Sequence, residues 1–157
     1  MAVDPRISLT IVLKELDDCK EDALHNHWEI SAIDETNQVF RVKMSSSIDN
    51  QDYIIEIKFD NYKEWPLNIE FVEPTTGEKG RKNAYPSGKS DGFFYGFPCI
   101  CHPCSRKAYT PGPHSDWALT GWQQNPRVGS LTNIRAILWA IYSRITNEEE
   151  YGGRMHA

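Results

Sequence analysis

A chain of 157 residues with 39% hydrophobic and 11% aromatic side chains has enough material for one domain with a real core, and is too apolar for a disordered tail. Its net charge of −5, with both signs interspersed, argues against nucleic acid as a main partner, because a surface that tracks phosphates needs a net basic face. No apolar run approaches the roughly 20 residues that cross a bilayer. The opening Met1-Ala2-Val3-Asp4-Pro5 lacks the basic and apolar regions of a secretory signal, so a cytoplasmic protein with reduced thiols and no membrane partner is expected.

Asp4-Pro5 has the form of an N-cap followed by proline at the first helical position. Leu9, Val12, Leu13, Leu16, Cys19, Ala23 and Leu24 recur at three- and four-residue spacing, which predicts one amphipathic helix ending near His25-Asn26-His27. Cys19 lies in that stripe, so packing is its expected role. Strand-like alternation follows at residues 28–33, 39–44 and 53–59, with Glu35-Thr36-Asn37-Gln38 as the turn between the first two. In the third run, Tyr53, Ile55, Ile57 and Phe59 fall on one face, and Ile54 and Glu56 on the other. A fourth run, residues 67–72, lies just past Glu64-Trp65-Pro66. Consecutive strands with short polar turns predict an antiparallel meander.

From residue 73 to about residue 126 the pattern gives way to Gly, Pro, Ser and charged residues. A stretch that long without regular elements carries function or short local structure. Ser130 then stands as the cap of a last helix, with Leu131, Ile134, Ile137, Leu138, Ile141, Tyr142 and Ile145 as its apolar stripe. Glu148-Glu149-Glu150 and Gly152-Gly153 end it. Residues 1–157 thus read as a single α+β domain.

Three of the four cysteines fall within Cys99-Ile100-Cys101-His102-Pro103-Cys104. A disulfide framework is not expected in a reducing compartment, and so close a spacing strains most pairings. Two chemistries stand beside plain packing. Cys99, Cys101, Cys104, His102 and His114 are enough soft ligands for a tetrahedral zinc, but a single Cys-x2-Cys knuckle is present where zinc ribbons use two. No stoichiometric zinc and no other cofactor is therefore expected. His25, His27 and His156 read as solvent-facing. A reactive thiol needs cationic or dipolar neighbours and partial exposure, and Arg106, Lys107, His102 and His114 are all close in sequence. Gly77-Glu78-Lys79-Gly80-Arg81-Lys82 does not match a phosphate loop and reads as an exposed turn. The Trp117-to-Trp122 pair has the chemistry to bind a ligand, but anchoring a loop on the core is the commoner role of such residues and is the one expected.

Some passages look like those of a known family. Tyr53 to Phe59, Tyr62, Trp65-Pro66 and Leu67-Asn68-Ile69-Glu70-Phe71 look like a third strand leading through a tyrosine- and proline-rich turn into a strand that ends in phenylalanine. Ile100-Cys101 looks like an aliphatic–cysteine active-site dipeptide, with Trp117 or Trp122 as the tryptophan that follows it. On these residues, and on the order of its elements over roughly residues 5–146, the chain resembles the ubiquitin-conjugating enzyme fold. Arg106-Lys107-Ala108-Tyr109 with His114 looks like the divergent bacterial branch.

The resemblance implies an N-terminal helix, a four-stranded antiparallel meander, a long active-site segment and a C-terminal core helix. It also implies a transferase that accepts a ubiquitin-like modifier as a thioester on Cys101 and passes it to an amine of a protein substrate. An activating enzyme would be its partner, in bacterial conjugation pathways of which some are antiviral. His114 is the expected polar assistant and Tyr109 the next. His102-Pro103-Cys104 follows Cys101, whereas the family's His-Pro-Asn precedes its cysteine, so no residue is assigned to the oxyanion. Strand alternation would put Cys99 on the same side as Cys101, which leaves Cys99 in contention. A catalytically inert modifier-binding domain of the same fold, or a small zinc-binding adaptor, remains the alternative.

Overall fold

Asp4 accepts the Arg6 amide on its side chain at 2.9 Å and opens helix α1, Pro5–Asp17, in a computed structural model that describes residues 2–90 and 92–157. The expected single first helix is two. The chain turns at Asp18 and Cys19, and α2 runs Lys20–Asn26 until His27, at φ 57°, closes it in the left-handed conformation. The apolar spacing carries on across this turn, so periodicity alone reads one helix where the backbone makes two. Cys19 is fully buried and its thiol meets the Glu15 carbonyl at 3.4 Å, the packing role expected of it.

Four strands form one antiparallel sheet in the order β1 (Glu29–Ile30), β2 (Val39–Ser45), β3 (Asp52–Lys58) and β4 (Asn68–Val72). Val42 faces Ile55, which faces Phe71 across the next pair. Tyr53, Ile55, Ile57 and Phe59 are all fully buried, whereas Ile54 and Glu56 on the opposite face are partly exposed. β1 covers only two residues of the expected 28–33 run, and Trp28, just before it, packs edge-on against Trp139 and Tyr142, each with ring centroids 5.4 Å away.

The last helix, α3 (Ile134–Thr146), starts later than expected. Asn133, not Ser130, is its cap, and its side-chain oxygen accepts the Ala136 amide at 2.9 Å. Ile134, Ile137, Leu138, Ile141 and Ile145 are fully buried and share one apolar cluster with the inner face of the sheet.

The segment after β4 carries short local structure: β5 (Pro86–Gly88), β6 (Phe94–Tyr95), β7 (Cys99–Ile100) and three single 3₁₀ turns. Residues 77–82 are exposed, as expected of a turn. The helix ends before the acidic and glycine-rich stretch, as expected, but Tyr151–Arg154 then forms a strand, β8, against β5, where no strand was expected. Tyr151 directs this pairing: it is buried, and its hydroxyl meets Tyr53 at 2.5 Å and Asp49 at 2.9 Å. Among the described residues no helix is long and apolar enough to cross a membrane.

Candidate active site

The cysteine segment is held at both ends. Upstream, β6 and β7 pair as a hairpin, Phe94 facing Ile100 and Tyr95 facing Cys99. Just past it, the Cys101 amide donates to the Phe93 carbonyl at 2.8 Å and the His102 amide to the Ile100 carbonyl at 3.1 Å. Downstream, Ser105 bridges to Leu67 beside β4, and Arg106 donates to the Pro66 carbonyl at 2.9 Å and to the Asp60 carboxylate at 2.9 Å. A tight turn joins the two ends, with the Ser105 amide on the His102 carbonyl at 3.0 Å and the Cys104 amide on His102 Nδ1 at 3.1 Å.

This geometry separates three cysteines that stand within six residues of each other. Cys99 and Cys104 are fully buried, and burial pushes both thiols up to about 12. At that level a thiol stays protonated and inert. Cys101 is partly exposed, and its Sγ lies 3.1 Å from His114 Nε2. Burial raises the Cys101 thiol as well, and the Arg127 charge pulls it back down. Proton transfer to an adjacent imidazole is the remedy for such a thiol, and a base within about 3.2 Å is placed to receive it.

His114 is thirteen residues from Cys101 and is brought there by its own loop. Its amide donates to the Ala108 carbonyl at 2.8 Å, and the Trp117 amide donates to the His114 carbonyl at 3.0 Å. The turn lays the imidazole flat on the Trp117 indole, with centroids 3.8 Å apart and planes within 5°. Arg127 approaches the same indole, its guanidinium carbon 5.9 Å from the ring centroid.

Tyr109 sits elsewhere in the arrangement. Its ring is buried edge-on to Trp117 at 5.5 Å, and its hydroxyl donates to the Pro103 carbonyl at 2.8 Å. That hydroxyl is committed, so Tyr109 braces the loop and Trp117 rather than meeting a reacting group. Trp122 anchors the loop as expected, buried and donating from Nε1 to the Lys63 carbonyl at 3.0 Å. His102 is held neutral: burial lowers it to about 4, with Arg144 and Arg127 adding to the effect.

Among the described residues no three His, Cys, Asp or Glu side chains come together as a metal ion would require, and Cys101 with His114 makes only a pair. His25, His27 and His156 are exposed. Sequence reasoning missed Arg127 altogether and gave Trp117 no link to His114. The His114-x2-Trp117 spacing is compatible with a turn that stacks the rings, but nothing local ties Arg127 to them. Set against protein-family models, curated proteins and solved structures, the chain matches none.

Proposed function

We propose that this protein is a ubiquitin-conjugating-like transferase that carries a ubiquitin-like modifier as a thioester on Cys101 and hands it to an amine of a protein substrate. The observation that carries this reading is the partly exposed Cys101 thiol 3.1 Å from His114 Nε2, flanked by two cysteines that burial keeps inert. The order of elements supports it: an N-terminal helix, a four-stranded antiparallel sheet, a long segment with the thiol, then a core helix. A thiol accepts an acyl group from another thioester at little free-energy cost, so a modifier delivered by an activating enzyme can be taken up and passed on without further energy input.

His114 takes the thiol proton as Sγ attacks and is placed to take the proton of the incoming amine in the second step. We assign this chemistry to the cytoplasm of a bacterium, in a conjugation pathway of the antiviral kind. The test is incubation with a candidate modifier, its activating enzyme and ATP, resolved with and without reductant. A reductant-sensitive adduct that disappears in Cys101→Ala and persists in Cys99→Ala and Cys104→Ala is the expected result. Charging of Cys101→Ala at the wild-type level sinks the assignment.

A further inference from the structure

Acyl transfer to Cys101 creates an oxyanion, and the backbone around the thiol is not arranged to receive it. The usual receptors are amide N–H groups next to the nucleophile. Here the Cys101 amide is engaged by Phe93, the His102 amide by Ile100, the Cys104 amide by His102 Nδ1 and the Ser105 amide by the His102 carbonyl. Residue 103 is proline and has no N–H to give. None of the amides next to the nucleophile is therefore free, which turns attention to side chains as the donor.

Cations near the site differ in how far they are committed. Lys107 is paired with Glu70 at 3.0 Å, and Arg106 is clamped to Asp60 and Pro66. Arg144 lies 4.0 Å over the Phe93 ring and donates to the Ala140 carbonyl at 2.9 Å. Arg127 is exposed, has no ion pair among the described residues, and rests against the indole on which His114 is stacked.

We propose that Arg127 supplies the positive charge that meets the oxyanion formed at Cys101. The step rests on the reading of Cys101 as an acyl-accepting thiol. Sγ bonds to the thioester carbonyl carbon while His114 Nε2 takes the thiol proton, and the carbonyl π pair moves onto oxygen beside the guanidinium. Collapse restores the C=O bond and expels the donor's thiolate, which recovers the proton from His114. A guanidinium suits this task because it keeps its charge across the whole range of thiol chemistry and presents a planar fork of donors. Against the effect of burial, the Arg127 charge also favours the thiolate form of Cys101.

The experiment compares acylation with alkylation on the intact chain. Phenyl thioacetate serves as the acyl donor, followed by thiophenolate release and by the mass of the Cys101 adduct. Iodoacetamide alkylates the same sulfur through a displacement that forms no oxyanion. Arg127→Gln should slow acylation by roughly 10²-fold, the loss typical of one oxyanion donor, while changing alkylation far less. Arg127→Lys should fall between, and millimolar guanidinium should restore part of the rate to Arg127→Ala. If acylation and alkylation fall by the same factor, Arg127 acts merely on the thiol's ionisation and the proposal fails. If Arg127→Gln acylates like the wild type, it also fails, while the reading of Cys101 stands. A wild-type chain whose Cys101 is alkylated but never acylated removes the reading and the proposal together.

Discussion

Glu15, near the end of α1, accepts the amide of Ile134, the first residue of α3, at 2.9 Å on the same carboxylate oxygen that receives the Tyr62 hydroxyl at 2.7 Å. Its other oxygen holds Lys63 at 3.1 Å. One nearly buried carboxylate thus caps the last helix from the first and ties both to the turn before β4. Glu15→Ala would leave the Ile134 amide and the Tyr62 hydroxyl buried without a partner. We expect a loss on the order of 2–4 kcal/mol, read as a drop in the urea midpoint. Glu15→Gln keeps an acceptor for both donors and should lose clearly less; equal losses would rule out the capping role.

Leu138 and Ile141 are fully buried in the cluster that joins α3 to the sheet. Truncating either to alanine should cost roughly 2–5 kcal/mol, measured by chemical denaturation. A cost near zero would place this helix face outside the core.

Cysteine labelling reports the site directly. Cys101 is partly exposed, while Cys19, Cys99 and Cys104 are fully buried. Under native conditions iodoacetamide should modify Cys101 first, and the other three should react only after unfolding. Peptide mass mapping over time checks the order, and early labelling of Cys99 would move the nucleophile two residues upstream.

Trp117 is the platform for His114, through a stack 3.8 Å apart and parallel within 5°. Trp117→Ala should free the imidazole and slow acylation of Cys101 by roughly 10²-fold, the scale of a misplaced catalytic group. Trp117→Phe retains an aromatic face and should keep much of the rate. The pH profile of alkylation should change in the alanine variant and stay close to wild type in the phenylalanine one. A change in rate with no change in profile would mean a packing role alone.

His102 makes a pH prediction with a definite sign. Burial first, then Arg144 and Arg127, lower its folded-state value from 6.5 to about 4. Between those values the unfolded chain binds a proton that the folded chain refuses, so acidification favours unfolding. This contribution is fully present above about pH 6.5 and is lost as pH falls towards 4. His102→Asn keeps an acceptor for the Cys104 amide and removes the titration. Its melting temperature should fall less steeply than that of the wild type between pH 7 and pH 4, by about 2–4 °C for each kcal/mol of difference; an unchanged slope would exclude His102 as a contributor.

The elements legible in the sequence were those whose signal is local and repetitive. Alternation in β2 and β3, the apolar run of β4 and the three-to-four spacing of α3 reflect burial against one core, so their existence and type, and the inward residues of β3 and α3, could be read from order alone. The cysteine-dense segment could likewise be singled out, and His114 named beside Cys101, because thiol and imidazole chemistry is written in residue type. Boundaries set by single hydrogen bonds were not legible. Asn133 rather than Ser130 caps α3, and a turn at Cys19 divides a stripe whose spacing continues unbroken. Contacts between distant residues were also hidden. Tyr151 is drawn into a strand by Tyr53 and Asp49, about a hundred positions away, and outweighs the glycines that argue for an end. The Ile100-Cys101 dipeptide pointed to Cys101 by resemblance, but what physically distinguishes it from Cys99 and Cys104 is tertiary. Residue type gives all three the same chemistry, and only burial of two and the approach of His114 to the third give them different reactivity.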